Sequence, residues 1–384
     1  MSKRLPLFYA VTAIFWFALY AYVPYVSPYS ELLGADLRFI GLIVGSYGFT
    51  QMLIRFPLGI LSDRLGMRKI FVLSGLFFTG LAGLVVYLLP HPMTMLLSRS
   101  LGGVAAASWV TFAILAASYY PADQASKSMG YINAANAFGR MTAFFLGGLA
   151  AELMGVPYAF LLGGAAGLVG LVIGIGINED ATEGGSTPSF ADLFGLVRDK
   201  QLLCASFLSI LTQYVLFATA FGFTPLYAYR LGTNHFQLGM LGVAATMPGF
   251  LVSPLAGSII PRKIGTKNML AIGFAMMAVG CGLIVFVNSI WQLFAVQIII
   301  STGNVLAYTL LMGLSIQHIP SERRATAMGF FQAVYGLGMF LGPFVTGWLA
   351  HGMGLTTAFA LQGFVGLFGM AAVFAFAKKG HLSQ

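Results

Sequence analysis

The sequence predicts an all-α integral membrane protein, with about twelve transmembrane helices arranged as two pseudo-symmetric six-helix bundles. Three observations lead there. Of the 384 residues, 58% are hydrophobic and only 8% charged, whereas a soluble domain is about a quarter charged. Apolar runs long enough to cross a bilayer recur along the whole chain, and the second half repeats the first at a constant offset. A mean hydropathy of +0.87 sustained over 40.9 kDa excludes a water-soluble enzyme, a nucleic-acid-binding domain and a disordered chain.

A spanning helix takes about 20 mostly apolar residues. The runs lie at 6–29, 38–61, 70–89, 93–119, 127–150, 157–178, 201–229, 236–260, 268–288, 290–318, 323–350 and 355–377, parted by short polar or Pro/Gly breaks. The first follows Lys3 and Arg4 as a signal peptide would. Its apolar stretch is too long for one and lacks a small-residue cleavage site, so it is read as a helix that stays. Cys204 and Cys281 both fall inside apolar runs, which leaves no disulfide framework and no cysteine-based metal site.

A net charge of +9 matters in a membrane protein chiefly through where the cations fall. With both termini in the cytoplasm, the inner segments hold Lys3, Arg4, Arg64, Arg68, Lys69, Lys127, Arg198, Lys200, Arg262, Lys263, Lys267, Arg323, Arg324, Lys378 and Lys379. The outer segments hold Arg38 and Arg230, and Arg55, Arg99 and Arg140 lie within spans. This bias satisfies the positive-inside rule and supports an even number of spans. The one sizeable linker, 179–200, contains Gly184-Gly185-Ser186-Thr187-Pro188, a flexible cytoplasmic connection. It divides the chain into an N-terminal bundle, 1–178, and a C-terminal bundle, 201–384.

At an offset of 199 positions, Pro121, Met129, Gly130 and Gly139 align with Pro320, Met328, Gly329 and Gly338. Ala134/Ala333, Phe145/Phe344, Gly148/Gly347 and Ala151/Ala350 hold the same register. Two parallel six-helix repeats form a transporter architecture, with the substrate near mid-membrane between the halves and rocking as the working motion.

Between spans two and three the chain reads Gly59-Ile60-Leu61-Ser62-Asp63-Arg64-Leu65-Gly66-Met67-Arg68-Lys69. This resembles the signature loop of the major facilitator superfamily. A decayed copy, Gly257-(x4)-Arg262-(x2)-Gly265-Thr266-Lys267, occupies the equivalent place in the second half, with Pro261 where the acid would stand. Arg99-(x3)-Gly103 is similar to that family's fourth-span motif, with Gly102 in place of the usual Gln. The resemblance covers the full chain and implies a conformational switch at Gly59, Asp63, Arg64, Gly66 and Arg68. In the family the acid sits against the N-terminus of span eleven in the outward-open state, supported by the nearby arginines. Such a charge–dipole contact contributes about 0.3–2 kcal/mol, enough to bias a two-state equilibrium without locking it. Topology alone also accounts for cations in this loop.

Span five carries Gly130, Gly139, Gly147 and Gly148, and span eleven carries Gly329, Gly338, Gly342, Pro343 and Gly347. Both resemble the Gly/Pro motif of exporters and antiporters in that family, within its drug and metabolite efflux antiporter group, although the Gly-Pro core survives only in span eleven. Small residues at this spacing let helices pack closely, and proline bends a helix and frees a carbonyl.

Charges inside the membrane discriminate further. A central arginine costs about 2.5 kcal/mol or more, yet Arg99 and Arg140 lie well inside spans four and five, where the repeat equivalents are Ile298 and Met339. Asn133, Asn136 and Arg140 follow i, i+3, i+7 spacing and form one polar stripe. Arg55 lies near the inner end of span two and is expected to snorkel to the surface. Every carboxylate is assigned outside the core, with Glu31, Asp36 and Glu152 on the outer side. A buried cation-binding or proton-relay acid is therefore not expected. The remaining cavity candidates are Trp16, Tyr20 and Tyr25 on span one, Tyr47 and Gln51 on span two, Gln213 and Phe217 on span seven, Asn304 and Tyr308 on span ten, and Gln332 and Tyr335 on span eleven. Aromatic walls with scattered amides suit an amphiphilic organic molecule.

The expectation is a monomeric secondary transporter of the cell (inner, cytoplasmic) membrane, working by alternating access and exporting an organic anion or amphiphile. No cofactor, metal or nucleic acid is called for, and any coupling ion is taken to be a proton. The proton would act through Asp63, the outer acids Glu31 and Asp36, or the substrate itself. A polyspecific multidrug:proton antiporter is the alternative within transport. A membrane-embedded enzyme lacks a catalytic constellation at membrane depth, and a channel is disfavoured by the repeat design.

Overall fold

The computed structural model describes residues 4–120, 125–179, 199–320 and 323–378. Most of the linker 179–200 lies outside them, as do Lys3, Arg198, Lys379 and Pro121. Of Arg4, Phe56, Asp63, Ala125, Ser126, Lys127 and Ala325 the backbone alone is described. All regular structure among the described residues is helical, and eleven helices are long and apolar enough to cross a membrane. The twelfth, Ala125–Met154, is 30 residues long; Asn133, Asn136 and Arg140 dilute its hydropathy.

Span one runs through Arg4–Tyr20, a 3-10 turn at Val23–Tyr25, and Val26–Leu32. Span two is Leu37–Leu65, span three Arg68–Leu88, span four Pro92–Ala107 and Trp109–Ser118, span five Ala125–Met154, and span six Val156–Gly174. Span seven is Lys200–Ala218, a π turn at Thr219–Phe223, and Thr224–Arg230. Span eight is His235–Ala256, followed by the short helix Ile260–Ile264. Spans nine to twelve are Thr266–Leu283, Ile290–Gln317, Arg324–Met353 and Leu355–Lys378.

The interruptions have local causes. Pro24 opens the 3-10 turn of span one and Pro225 follows the π turn of span seven; each lacks the N–H that would continue the ladder. Span four breaks at Ser108, whose hydroxyl donates to the Ala105 carbonyl at 2.6 Å. Helix starts are capped by short polar side chains. Asp36 accepts from Phe39 N–H at 2.8 Å, Asp199 from Leu202 N–H at 2.7 Å and Asn234 from Gln237 N–H at 2.8 Å.

The repeat register reappears in the backbone. Gly66 and Gly265, at φ +62° and +80°, turn the chain after spans two and eight. Gly155 and Gly354, at +103° and +85°, end spans five and eleven. Both pairs are 199 positions apart, and a side chain at either would be strained.

Two compact units form. One gathers Met1–Leu33, Thr50–Thr187 and Asn234–Met240, and the other Gly34–Phe49, Pro188–Thr233 and Leu241–Gln384. The first buries Phe8, Phe15, Phe112, Phe144 and Phe160, and the second Phe223, Phe274, Phe331 and Phe359. Within the first, span five lies against span one so closely that a Cβ at Gly139 or Gly147 would meet the carbonyl oxygens of Ala13 or Ala21. Within the second, span eleven lies against span seven in the same way, with Gly338 and Gly342 against the carbonyls of Ile210 and Tyr214.

Candidate functional site

In the first unit, the break at Ser108 carries Trp109 to the face of span four that meets span one, where its ring lies 5.1 Å from Trp16. Trp16 continues to Tyr20 at 5.6 Å, and Tyr20 meets Phe144 edge-on at 5.7 Å. The Arg140 guanidinium lies 4.6 Å above the Tyr20 ring. Arg140 is half-buried, as is Asn136, while Asn133 is exposed. The polar stripe of span five thus ends on an aromatic wall, where the ring's negative face offsets part of the cost of holding the cation there. Trp109 was not among the residues the sequence singled out; the small-residue run Ala105-Ala106-Ala107-Ser108 before it is the signal for a bend.

Arg99 is 3% exposed and sits in span four beside Ser98, close to Tyr22 of span one. Arg55 does not snorkel. It is 4% exposed and donates to the Ala106 carbonyl at 3.3 Å, beside the span-four break. A helix interruption weakens local pairing of carbonyls, which gives a guanidinium a reason to stay inside. Gln51 is buried one turn earlier. Tyr25 donates its hydroxyl to the His235 carbonyl at 2.7 Å, so it joins span one to the start of span eight.

In the second unit, Tyr47 stacks on Phe217 at 6.0 Å and 16°. Gln213 is buried on span seven, and Asn304 of span ten donates to the Thr212 carbonyl at 3.0 Å. Asn304 therefore holds spans seven and ten together. Tyr308, Phe331 and Tyr335 form a second aromatic group, with Tyr308–Tyr335 at 5.6 Å and Phe331–Tyr335 at 5.6 Å, and Gln332 is half-buried beside them on span eleven. A cleft of about 530 Å³ lies elsewhere in this unit, around the decayed loop, lined by Ser258, Arg262, Thr266, Thr309 and Gln317 among others.

At the signature loop, Gly59 has open space around it and Gly66 makes the turn. Asp63 lies in the last turns of span two, and its side chain is outside the described residues. Arg64 is exposed. The start of span three is capped by Glu179, whose two carboxylate oxygens accept from Arg68 N–H at 2.6 Å and Lys69 N–H at 2.8 Å. Lys69 Nζ donates to the Ile175 carbonyl at the end of span six, 2.6 Å away. An acid at a helix N-terminus and a cation at a C-terminus both complement the helix dipoles, so the loop is tied to the start of the linker. Proximity across 110 residues of sequence gave no sign of this.

The packing glycines divide. Besides the four already described, Gly148 faces Gly239 and Phe236 of span eight, and Gly347 faces Leu37 and Gly41 of span two. An added Cβ at Gly41 would lie 2.5 Å from the Pro343 carbonyl. Gly130 and Gly329 have no neighbour within 4 Å of an added Cβ.

The sequence profile described as Major Facilitator Superfamily matches residues 8–268 and 202–383. An uncharacterized MFS-type transporter of Methanocaldococcus jannaschii is 27% identical over 346 residues, 88% of each chain. The inner membrane transport protein YajR of Escherichia coli is 24% identical over 351 residues, 86% of this chain and 74% of its own. The quinolone resistance protein NorA of Staphylococcus aureus is 23% identical over 356 residues, 90% of each. Among solved structures, a bacterial homologue of the human lysosomal transporter Spinster superposes with a TM-score of 0.81 at 15% identity, covering 97% of this chain and 96% of that one. The nucleoside transporter NupG gives 0.81 at 16% identity, covering 97% and 99%. With a profile matched from span one to span twelve and the same all-helical fold at each of these neighbours, the chain belongs to the Major Facilitator Superfamily and is a multi-pass membrane transporter.

Proposed function

We propose that this transporter is a secondary carrier of the cell membrane that works by alternating access and exports an organic anion or an amphiphilic small molecule. The observation that carries this reading is Arg140, held 4.6 Å over Tyr20 on a wall continued by Trp16 and Trp109. The fold does not need a cation there, since the repeat equivalent is Met339. A guanidinium presents a planar fork that matches carboxylate, sulfonate or phosphate oxygens, and the rings cover the apolar part of the ligand.

The two repeats, 1–178 and 201–384 joined by the 179–200 linker, are the bodies that move in this reading. With both termini cytoplasmic, the contacts of Gly148 with span eight and of Gly41 with span eleven fall at the outer ends of their helices. Glycine contacts of this kind are backbone against backbone, so two helices part there without withdrawing interdigitated side chains. For the inner side the reading takes over what the signature loop's resemblance implies, an acid that engages span eleven in one state only, the position held in this sequence by Asp63. Asp63→Asn is expected to lower turnover at least tenfold while the thermal midpoint moves by no more than a few degrees, because a state-dependent contact goes and the core stays. Flux measured on purified mutant protein decides it, and wild-type turnover would remove Asp63 from the mechanism.

The likeness to a quinolone resistance protein favours a second reading, a polyspecific multidrug:proton antiporter. Reconstituted liposomes with imposed pH or sodium gradients, challenged with a panel of organic anions and cationic dyes, separate the two. Anion flux driven by a gradient supports the first reading; dye flux with none for anions supports the second.

A further inference from the structure

The two repeats treat one pair of backbone donors differently. At the start of span three, the N–H groups of Arg68 and Lys69 both donate to the Glu179 carboxylate, at 2.6 and 2.8 Å. At the repeat offset of 199 their equivalents are Lys267 and Asn268, in the first turn of span nine, and the equivalent of Glu179 is Lys378. The turn before each helix is kept, with Gly66 and Gly265 both at positive φ. The cap position of span nine is Gly265 itself, which has no side chain to give. After Asp199, which caps span seven, the C-terminal bundle has one carboxylate, Glu322, and it lies outside the described residues. The second repeat thus keeps the turn and helix start that hold an anion in the first, and puts a cation where the chain's own anion would stand.

The cleft of about 530 Å³ lies at this helix start. Its wall takes Thr266 from the first turn of span nine, Ser258 and Arg262 from the segment before it, and Thr309, Gly313 and Gln317 from span ten. The Ser258 hydroxyl donates to the Pro254 carbonyl at 2.6 Å, and the Thr309 hydroxyl lies 3.3 Å from that of Ser253. The charged group in the wall is the Arg262 guanidinium. Lys263 is exposed and does not line the cleft, and Lys267 is held at span twelve with its Nζ 4.7 Å over the Phe374 ring. Leu255, Ile259 and Met312, on the segments that frame the cleft, are exposed.

We propose that this cleft binds the phosphate group of an anionic phospholipid from the surrounding bilayer. The phosphate meets the Arg262 guanidinium, whose planar fork fits its oxygens, and the positive end of span nine, where the first repeat already holds a carboxylate. Topology alone accounts for cations on a loop; it does not call for a cleft with one of them in its wall. The exposed apolar side chains favour a lipid over a free phosphate ion, because acyl chains cover them while the headgroup enters the cleft. The site is built by spans eight to ten and does not draw on the export reading.

Native mass spectrometry of the intact, detergent-purified chain, titrated with phosphatidylglycerol or with phosphatidylcholine, reads the occupancy. Phosphatidylglycerol should be retained over the zwitterionic lipid, and Arg262→Gln should weaken that retention about tenfold, the factor of one hydrogen bond to a charged group. Lys263→Gln removes the same charge one residue away, outside the cleft wall, and should change retention little. Gly313→Leu keeps every charge and fills the cleft from a position where an added Cβ meets no atom within 4 Å. It too should lose the lipid, with a thermal midpoint near that of wild type. Equal losses in Arg262→Gln and Lys263→Gln, equal retention of the two lipids, or full retention in Gly313→Leu overturns the proposal. Inorganic phosphate that binds the wild-type chain and not Arg262→Gln, with no lipid retained, would make this a site for a soluble anion and overturn the lipid.

Discussion

Gly139→Ala and Gly338→Ala should each lose most of the folded, transport-competent protein, whereas Gly130→Ala and Gly329→Ala should not. The four lie on the same two helices and in the same repeat register. Only the first pair stands where a single added carbon meets another helix's carbonyl, Ala13 for Gly139 and Ile210 for Gly338. The obstacle is backbone, which has no rotamer to escape into, so the helices must separate and forfeit packing along several turns. Overpacking a tight interface costs about 1–3 kcal/mol, and in a bilayer no hydrophobic force between helices makes up the loss. At Gly130 and Gly329 the carbon enters open space, and alanine's better helix propensity, up to about 1 kcal/mol, works in favour of the variant. Thermal midpoints and gel-filtration profiles of the four detergent-purified variants check this. Equal behaviour in all four would mean that these helix pairs do not approach as described.

Arg140→Ala and Arg99→Ala should each weaken binding of an anionic substrate by tenfold or more. Hydrogen bonds to charged groups contribute about 1.5–3 kcal/mol, and one such bond lost is a factor of ten or above. Arg55→Ala should change affinity little, because its guanidinium is already used on the Ala106 carbonyl and its loss falls on stability. Arg140→Lys should restore only part of the affinity, since an ammonium keeps the charge and gives up the planar fork. Trp16 and Trp109, in contact with each other and next to Tyr20, supply an intrinsic fluorescence readout. Equal affinities in Arg55→Ala, Arg99→Ala and Arg140→Ala would assign all three arginines to packing.

The fold was legible because its determinants are local and repeated. Apolar runs of spanning length announce helices, and the register of 199 positions marks glycines that the backbone requires, such as Gly66 and Gly265 at positive φ. The twelfth span survives its polar stripe because the repeat fixes its place. What the sequence concealed depends on long-range meetings. Glu179 reads as the first acid of a polar linker and is instead the cap of span three. Arg55 reads as a snorkelling cation and turns inward to a carbonyl beside a helix break. Trp109 joins the aromatic wall only because span four bends at Ser108. Asn304 reads as a cavity amide and spends one N–H on span seven. None of these partners lies within a helical turn of the residue it meets, and periodicity carries information only over that range.

The central claim is that transport requires spans two and eleven to part at their outer ends. Arg38 and Trp348 stand in contact there, and the native cysteines Cys204 and Cys281 are buried and form no disulfide. Cysteines at positions 38 and 348, joined by a short cleavable bifunctional thiol reagent in reconstituted liposomes, test it directly. Gradient-driven flux should vanish while the tether is intact and return when it is cut; undiminished flux through tethered protein would contradict the account.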